Sequence, residues 1–246
     1  MNIKPIAIIL TKLNFKAEIM TEIKNMMNID FLGGINPASD EAVRRYEQEQ
    51  REEALKIERA RLEENYKKYS GVPSRYLTES LETYKPTAEN QKIYDWILGF
   101  VNSVKAGKNT TNIICLLGKF GTGKTHLGCG IIRQLGGKIL TSLELCITYD
   151  SCRDFKSDMT RIQYLHKLCE SPVLVIDEVG KGIGNIEKEI LPYIVNDFYG
   201  SGRILIFLTN ESRETFNKII GEAAIDRMNE IGVYFSLIGE SNRKRK

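Results

Sequence analysis

The feature that most constrains this chain is the octet Gly118-Lys119-Phe120-Gly121-Thr122-Gly123-Lys124-Thr125, which fits the pattern G-x-x-x-x-G-K-[ST]. The run before it, Asn112-Ile113-Ile114-Cys115-Leu116-Leu117, is apolar and reads as a buried strand. The run after it, His126 to Leu135, reads as a helix. Strand, glycine loop and helix together are the context a phosphate cradle needs. Glycines let backbone N–H groups curl round an anion without Cβ clashes. The helix N-terminus adds partial positive charge. In this reading Gly118, Phe120, Gly121, Thr122, Gly123 and His126 border the bound phosphates. Lys124 meets the β- and γ-phosphates of ATP, and the Thr125 hydroxyl ligates Mg²⁺. The plain alternative is a glycine turn between strand and helix; the Lys-Thr ending and the two flanks argue against it.

A second stretch supports the first. Val173-Leu174-Val175-Ile176-Asp177-Glu178 is four apolar residues ending in two acids. A buried parallel strand reads this way, and ligand chemistry gathers at the carboxyl ends of such strands. Asp177 is the expected second holder of the Mg²⁺ shell, and Glu178 the residue that polarises the attacking water. A surface Asp-Glu turn is the bland reading, and the phosphate loop upstream weighs against it.

Composition narrows the class. The 246 residues allow one large domain, or a medium domain with a smaller one, and the 42% apolar content suffices for a core. Net charge is only +3, and residues 1–70 balance 12 basic against 12 acidic side chains, so no broad nucleic-acid field is expected. The tail Arg243-Lys244-Arg245-Lys246 is locally basic. Five scattered cysteines with no C-x-x-C pair, and two histidines, argue against a zinc site or a disulfide framework. Free thiols suit a reducing compartment. The early apolar run Ile6–Leu10 is too short for a signal core or a membrane span. A cytoplasmic protein is expected.

Residues 1–69 are expected to be a helical N-terminal region and charged linker, and residues 70–246 the main domain. Ile19, Ile23, Met26 and Met27 mark one helical face, suited to a small core or to a partner groove. Residues 38–69 read as a long charged helix with i,i+4 pairs such as Glu63/Lys67. Its apolar stripe (Leu55, Leu62, Tyr66, Tyr69) is too narrow and broken for a coiled coil, so a solvated linker is expected. Ser70-Gly71-Val72-Pro73 is the expected boundary. Beyond it helices alternate with strands: a helix over 88–104, strands at 138–141, 204–210 and 233–238, mostly helix over 143–168, and helices over 186–199, 211–220 and 222–230. This order implies a mainly parallel sheet sandwiched by helices.

Three further groups attract attention. Asn210, at the polar end of the 204–210 strand, is placed to orient water or touch the γ-phosphate; capping the next helix is its plain alternative. Arg227 is suited to stabilise a phosphoryl group on a neighbouring subunit, with a surface ion pair to Asp226 or Glu230 as the alternative. Tyr149, Arg153, Phe155, Lys156 and Arg161 interleave aromatic and basic side chains, as single-stranded DNA contact requires. The alternative is a core aromatic beside solvated cations.

Residues 118–127, 173–180 (Val-Leu-Val-Ile-Asp-Glu-Val-Gly), 208–210 (Leu-Thr-Asn) and 225–228 (Ile-Asp-Arg-Met) together resemble the AAA+ ATPases of the DnaC/DnaI helicase-loader and IstB transposition-helper group. Ser70-Gly71-Val72-Pro73-Ser74-Arg75-Tyr76 looks like the segment that opens this group's ATPase module. The resemblance spans about residues 70–243. It implies a P-loop AAA+ α/β domain with Lys124 and Thr125 as Walker A, Asp177 and Glu178 as Walker B, Asn210 as sensor 1 and Arg227 as arginine finger. It implies ATP and Mg²⁺ as cofactors. The implied partners are the hexameric DnaB-type replicative helicase, single-stranded DNA and an ATP-dependent homo-oligomer. The implied work is opening the helicase ring and placing it on single-stranded DNA. Gly221-Glu222-Ala223 lacks the second arginine often seen there, and the chain ends soon after its last strand, so the C-terminal lid is expected to be missing. With no cysteine before Cys115, the chain looks nearer the DnaC type than the zinc-bearing DnaI type. The competing readings are an IstB-like helper acting on duplex DNA and a P-loop kinase for a small metabolite.

Overall fold

The computed structural model of the protein describes residues 37–108, 111–154 and 157–239. The chain divides into two compact units, Met1–Arg61 and Leu62–Lys246. Within the first lies most of α1 (Pro37–Tyr69), a long helix whose tyrosine and leucine at 46 and 55 stay exposed. The face drawn by Ile19, Ile23, Met26 and Met27 lies outside the described residues.

The second unit is a three-layer α/β fold. In chain order it holds a 3₁₀ turn (Ser74–Tyr76), α2 (Gln91–Lys105), β1 (Ile113–Gly118), α3 (Lys124–Leu135), β2 (Lys138–Thr141), α4 (Ser142–Ser151) and α5 (Arg161–Cys169). Then come β3 (Val173–Val179), α6 (Gly184–Tyr199), β4 (Ile204–Thr209), α7 (Arg213–Ile220), α8 (Glu222–Ile231) and β5 (Gly232–Leu237). The strands form one five-stranded sheet in the order β2-β3-β4-β1-β5, with every pairing parallel.

The strands are apolar almost throughout because both faces of the sheet are covered. Successive side chains split between them with period two. Ile113, Cys115 and Leu117 of β1 face the α4–α8 side, together with Leu174, Ile176, Leu205 and Phe207. Ile114 and Leu116 face the other side, together with Val173, Val175, Ile206 and Leu208, where Ile97, Phe100 and Val101 of α2 and Leu127 and Ile131 of α3 cover them. Each fully buried side chain of this size contributes roughly 1.5–3 kcal/mol.

Two departures from the sequence reading have plain causes. The stretch expected to be mostly helical over 143–168 is two helices, each opened by a capping box: Thr141 with Glu144, and Thr160 with Gln163. The helix before the domain does not stop being linker at Ser70. Tyr66 is 3% exposed and belongs to the core beside Leu81 and Tyr84, so the last two turns of α1 are part of the second unit. Glu63 pairs with Lys67 as expected, at 3.3 Å, but also with Arg133 of α3 at 2.9 Å. Ile139 N–H donates to the Ser70 carbonyl at 2.7 Å, which extends the β2 edge.

Candidate functional site

Parallel strands bring their carboxyl ends to one edge of the sheet, and the chemistry gathers there. β1 runs straight into the glycine loop, and the loop into α3. Gly123, the N-cap of α3, has φ 96°, and a Cβ on it would lie 2.5 Å from the Tyr84 ring. Only glycine satisfies both conditions. Tyr84 closes the loop from above, its hydroxyl donating to the Thr122 carbonyl at 3.3 Å. Thr122 itself turns inward and donates to the Lys119 carbonyl at 3.0 Å. Phe120, at the tip, is 57% exposed.

Lys124 is 6% exposed. Its ammonium donates to the carbonyls of Gly118 (2.7 Å) and Lys119 (2.9 Å) and to Asn210 Oδ1 (2.9 Å). β4 lies between β1 and β3, so the residue after it arrives beside the loop. Asn210 is therefore part of the site. The helix-cap alternative falls to Ser212, whose Oγ accepts from Thr215 N–H.

The Thr125 hydroxyl donates to Asp177 Oδ2 at 2.7 Å. Burial pushes the Asp177 carboxyl above its ordinary value; the Thr125 bond, the Glu178 N–H and the Lys124 charge oppose this. Pairing between β3 and β4 is regular to Ile176↔Phe207 and resumes at Val179↔Thr209, so a bulge falls on the two acids. A bulge re-aims side chains. Here it turns Glu178 out to the cleft with φ 57°, the single positive φ among the described non-glycine residues. Such a backbone costs of order 1–3 kcal/mol and persists only where neighbours hold it. The Glu178 N–H donates to Asp177 Oδ1 at 2.8 Å.

One holder of that geometry was missed in the sequence. Glu187 of α6 is 5% exposed. It accepts from Gly180 N–H (2.8 Å), Gly182 N–H (3.2 Å) and Ser142 Oγ (2.5 Å). It thus fastens the loop after Glu178 to α6 and α4. Its only sequence signal was an acid on the inward face of its helix.

These residues line a cleft of about 580 Å³: Lys124, Thr125, Asp177, Glu178, Asn210, Phe120, Gly121, Gly123 and His126, with Arg75, Tyr76, Glu79, Thr83, Tyr84 and Lys85 of the lead-in segment forming another wall. His126 Nε2 contacts the Ser80 carbonyl at 2.7 Å and Thr83 Oγ1 at 3.1 Å, tying α3 to that wall. The donor set fits a hydrated Mg²⁺. One hydroxyl and one carboxylate leave the remaining positions of an octahedron to phosphate oxygens and water. No group of three or more His, Cys, Asp or Glu among the described residues would compete for it.

No protein-family model matches the chain. It is 29% identical over 180 residues to the replicative helicase loader DnaC of Escherichia coli strain K12, covering 68% of this chain and 71% of that protein. It is 30% identical over 172 residues to the replicative helicase loader DnaC of Buchnera aphidicola subsp. Schizaphis graminum, covering 65% and 66%. The crystal structure of the DnaC helicase loader superposes with a TM-score of 0.58 at 22% identity, over 68% of this chain and all of that one. In sequence and in fold the chain resembles the DnaC helicase loaders. The crystal structure of DnaI, at TM-score 0.55 and 18% identity over 70% and 94%, shares the same fold. Among the described residues no helix follows β5.

One expectation changes, and one residue stands apart from the cleft. Tyr149 is buried, donates to Glu189 Oε1 at 2.8 Å, and has the Arg161 guanidinium over its ring at 4.6 Å. Arg161 is in turn paired with Asp150 at 2.5 Å. Neither is free to stack on a base or meet a phosphate; the pair closes the packing of α4 on α5. Arg153 is exposed, and Phe155 and Lys156 lie outside the described residues. Arg227 is absent from the cleft wall. It donates to its own helix at the Ala223 carbonyl (3.0 Å) and sits 5.8 Å from the Tyr199 ring centroid. The alternative, a surface ion pair to Asp226 or Glu230, is not formed among the described residues.

Proposed function

We propose that this chain is an ATP-dependent helicase loader that binds and hydrolyses ATP at the β1–α3 cleft. The observation that carries the reading is the meeting of Lys124, Thr125, Asp177, Glu178 and Asn210 in one cleft, on a chain whose relatives are named replicative helicase loaders. Bound ATP with Mg²⁺ supplies the scissile phosphoryl group and the metal that neutralises its charge. Lys124 meets phosphate oxygens in place of the Gly118 and Lys119 carbonyls that now take its protons. Thr125 and Asp177 hold the metal shell. Glu178, turned outward by the bulge, accepts a proton from the attacking water, and Asn210, bonded to Lys124, orients that water.

Arg227 serves a neighbour. It is half-buried, forms no ion pair among the described residues and stands away from its own cleft. A ring or open spiral of copies, each presenting Arg227 to the next cleft, gives it a substrate. The N-terminal region, with balanced charge, docks on a protein rather than on DNA. Its partner in this reading is the hexameric replicative helicase, which the assembled loader opens and places on single-stranded DNA.

Co-purification of the full chain with the replicative helicase of its source organism, with and without ATP, tests the reading. Retention of the helicase and release of inorganic phosphate support it. Transfer of phosphate to a small metabolite would replace it with a kinase.

A further inference from the structure

The cleft has a second wall that no assigned role uses. Residues 70–76 lead along the β2 edge, where Ser70 takes the Ile139 N–H, to the 3₁₀ turn Ser74–Tyr76. That edge stands beside the metal end of the site, since Thr141 of β2 is in register with Asp177 of β3. The turn is fixed from behind. Tyr66 Oη donates to the Tyr76 carbonyl at 3.1 Å, Arg133 Nη1 donates to the Leu77 carbonyl at 3.0 Å, and Glu63 holds Arg133 at 2.9 Å.

Arg75 stands on this anchored turn, and its side chain lines the cleft with Lys124, Thr125, Asp177 and Glu178. It is exposed, and among the described residues no carboxylate or carbonyl takes its donors. Its contact is with the Tyr76 ring, Cζ 4.6 Å from the centroid. A guanidinium resting on an aromatic face keeps its planar edge available for a bidentate acceptor. Arg133 of α3, which pins the turn, behaves differently: it spends its donors on Glu63, Leu77 and Glu79.

We infer that Arg75 is a γ-phosphate ligand supplied by the chain's own lead-in segment, a contact that rests on the ATP-binding reading above. The Thr125–Asp177 pair marks the end of the cleft that would hold a metal, which would neutralise phosphate charge there. Arg75 lines the cleft with both of them. Two N–H groups of the fork meet two γ-oxygens. ADP offers no such oxygens, so Arg75 separates the two nucleotides. Because the turn hangs from Tyr66 and Arg133, the γ-phosphate is read by a segment joined to the base of α1.

The test is equilibrium binding of fluorescently labelled ATP, ADP and AMP to the full chain as wild type, Arg75→Ala, Arg75→Lys and Lys124→Ala. Arg75→Ala lowers ATP affinity about tenfold or more and leaves ADP affinity within about threefold. Arg75→Lys recovers only part, because an ammonium keeps the charge but not the fork. The melting temperature without nucleotide stays at the wild-type value, since Arg75 is exposed and its donors bind nothing in the fold. Unchanged ATP affinity in Arg75→Ala, with Lys124→Ala defective, would overturn the Arg75 assignment alone. Equal loss for ATP, ADP and AMP would move Arg75 to the nucleoside and overturn it too. A wild type that bound no ATP would overturn the underlying reading with it.

Discussion

Replacing Glu187 with alanine tests whether the water-activating glutamate is held from behind. The side chain is 5% exposed and accepts from two backbone N–H groups and one hydroxyl. Alanine leaves the N–H groups of Gly180 and Gly182 without a partner, at about 1–3 kcal/mol for each buried donor. Ser142 can rotate its hydroxyl and costs little. Removing a buried carboxylate returns some desolvation energy. A net loss of about 1–3 kcal/mol remains, which lowers the melting temperature of a unit this size by roughly 3–10 °C. The effect on chemistry is larger than the effect on stability. The loop that Glu187 fastens begins two residues after Glu178, whose φ of 57° has to be imposed by its surroundings. Once the loop slackens, the Glu178 carboxylate drifts, and a misplacement of about 1 Å costs on the order of 100-fold in rate. ATP affinity should hold within about threefold, because Lys124 and Thr125 sit in the first turn of α3, apart from that loop. Thermal melts, nucleotide titration and steady-state phosphate release separate the three quantities. Glu187→Gln, which keeps the volume and one acceptor oxygen, recovers part of the turnover. A Glu187→Ala protein that melted within about 2 °C of wild type and turned over normally would refute the reasoning.

Lys124→Ala should lose nucleotide binding, and Glu178→Gln should bind ATP and release almost no phosphate; parent-rate hydrolysis by Glu178→Gln would remove Glu178 from the chemistry. Arg227→Ala should bind ATP normally yet turn it over about 10³-fold more slowly or worse, since it lacks the finger of the neighbouring copy. Mixed with Lys124→Ala protein it should regain part of the activity, and no recovery from two folded, associating mutants would return Arg227 to a surface role. Asp177→Asn should raise the melting temperature of the nucleotide-free protein at neutral pH. Burial raises the folded-state pKa of Asp177, so the folded protein keeps a proton that the unfolded chain has already lost, and stability falls as pH rises through that window. The gain from asparagine should vanish below the ordinary aspartate value of about 3.9, and a gain that grew on acidification would contradict the sign.

Much of the site could be read in the sequence because its chemistry is carried by short contiguous runs. The glycine octet, the apolar strand ending in Asp177-Glu178 and the Thr-Asn end of β4 each announce themselves, and parallel pairing then leaves one place for them to meet. What escaped depends on contacts between distant segments. Tyr66 sits in a run of charges and looks like a linker residue until Leu81 and Tyr84 bury it. Glu187 is one of three acids in its helix, with nothing local to mark it as the buried one, and its partners lie on two other segments. Tyr149 and Arg161 satisfied a composition rule for nucleic-acid contact, yet they satisfy each other first. Arg75 carried a family likeness but no chemical assignment, because nothing in local spacing shows that the β2 edge brings it to Asp177.

The strand order also governs when the molecule can be made. β1 leads into the phosphate loop, yet both of its neighbours, β4 and β5, are synthesised about 90 to 120 residues after it, pairing at Ile113↔Leu205 and Ile113↔Gly232. While the chain emerges from the ribosome, β1 is an apolar ribbon with two open edges, and the octet after it has nothing rigid to stand on. Nascent chains released before Gly232 should therefore be insoluble and blind to nucleotide, and a ligand can rescue folding only in the last moments of synthesis.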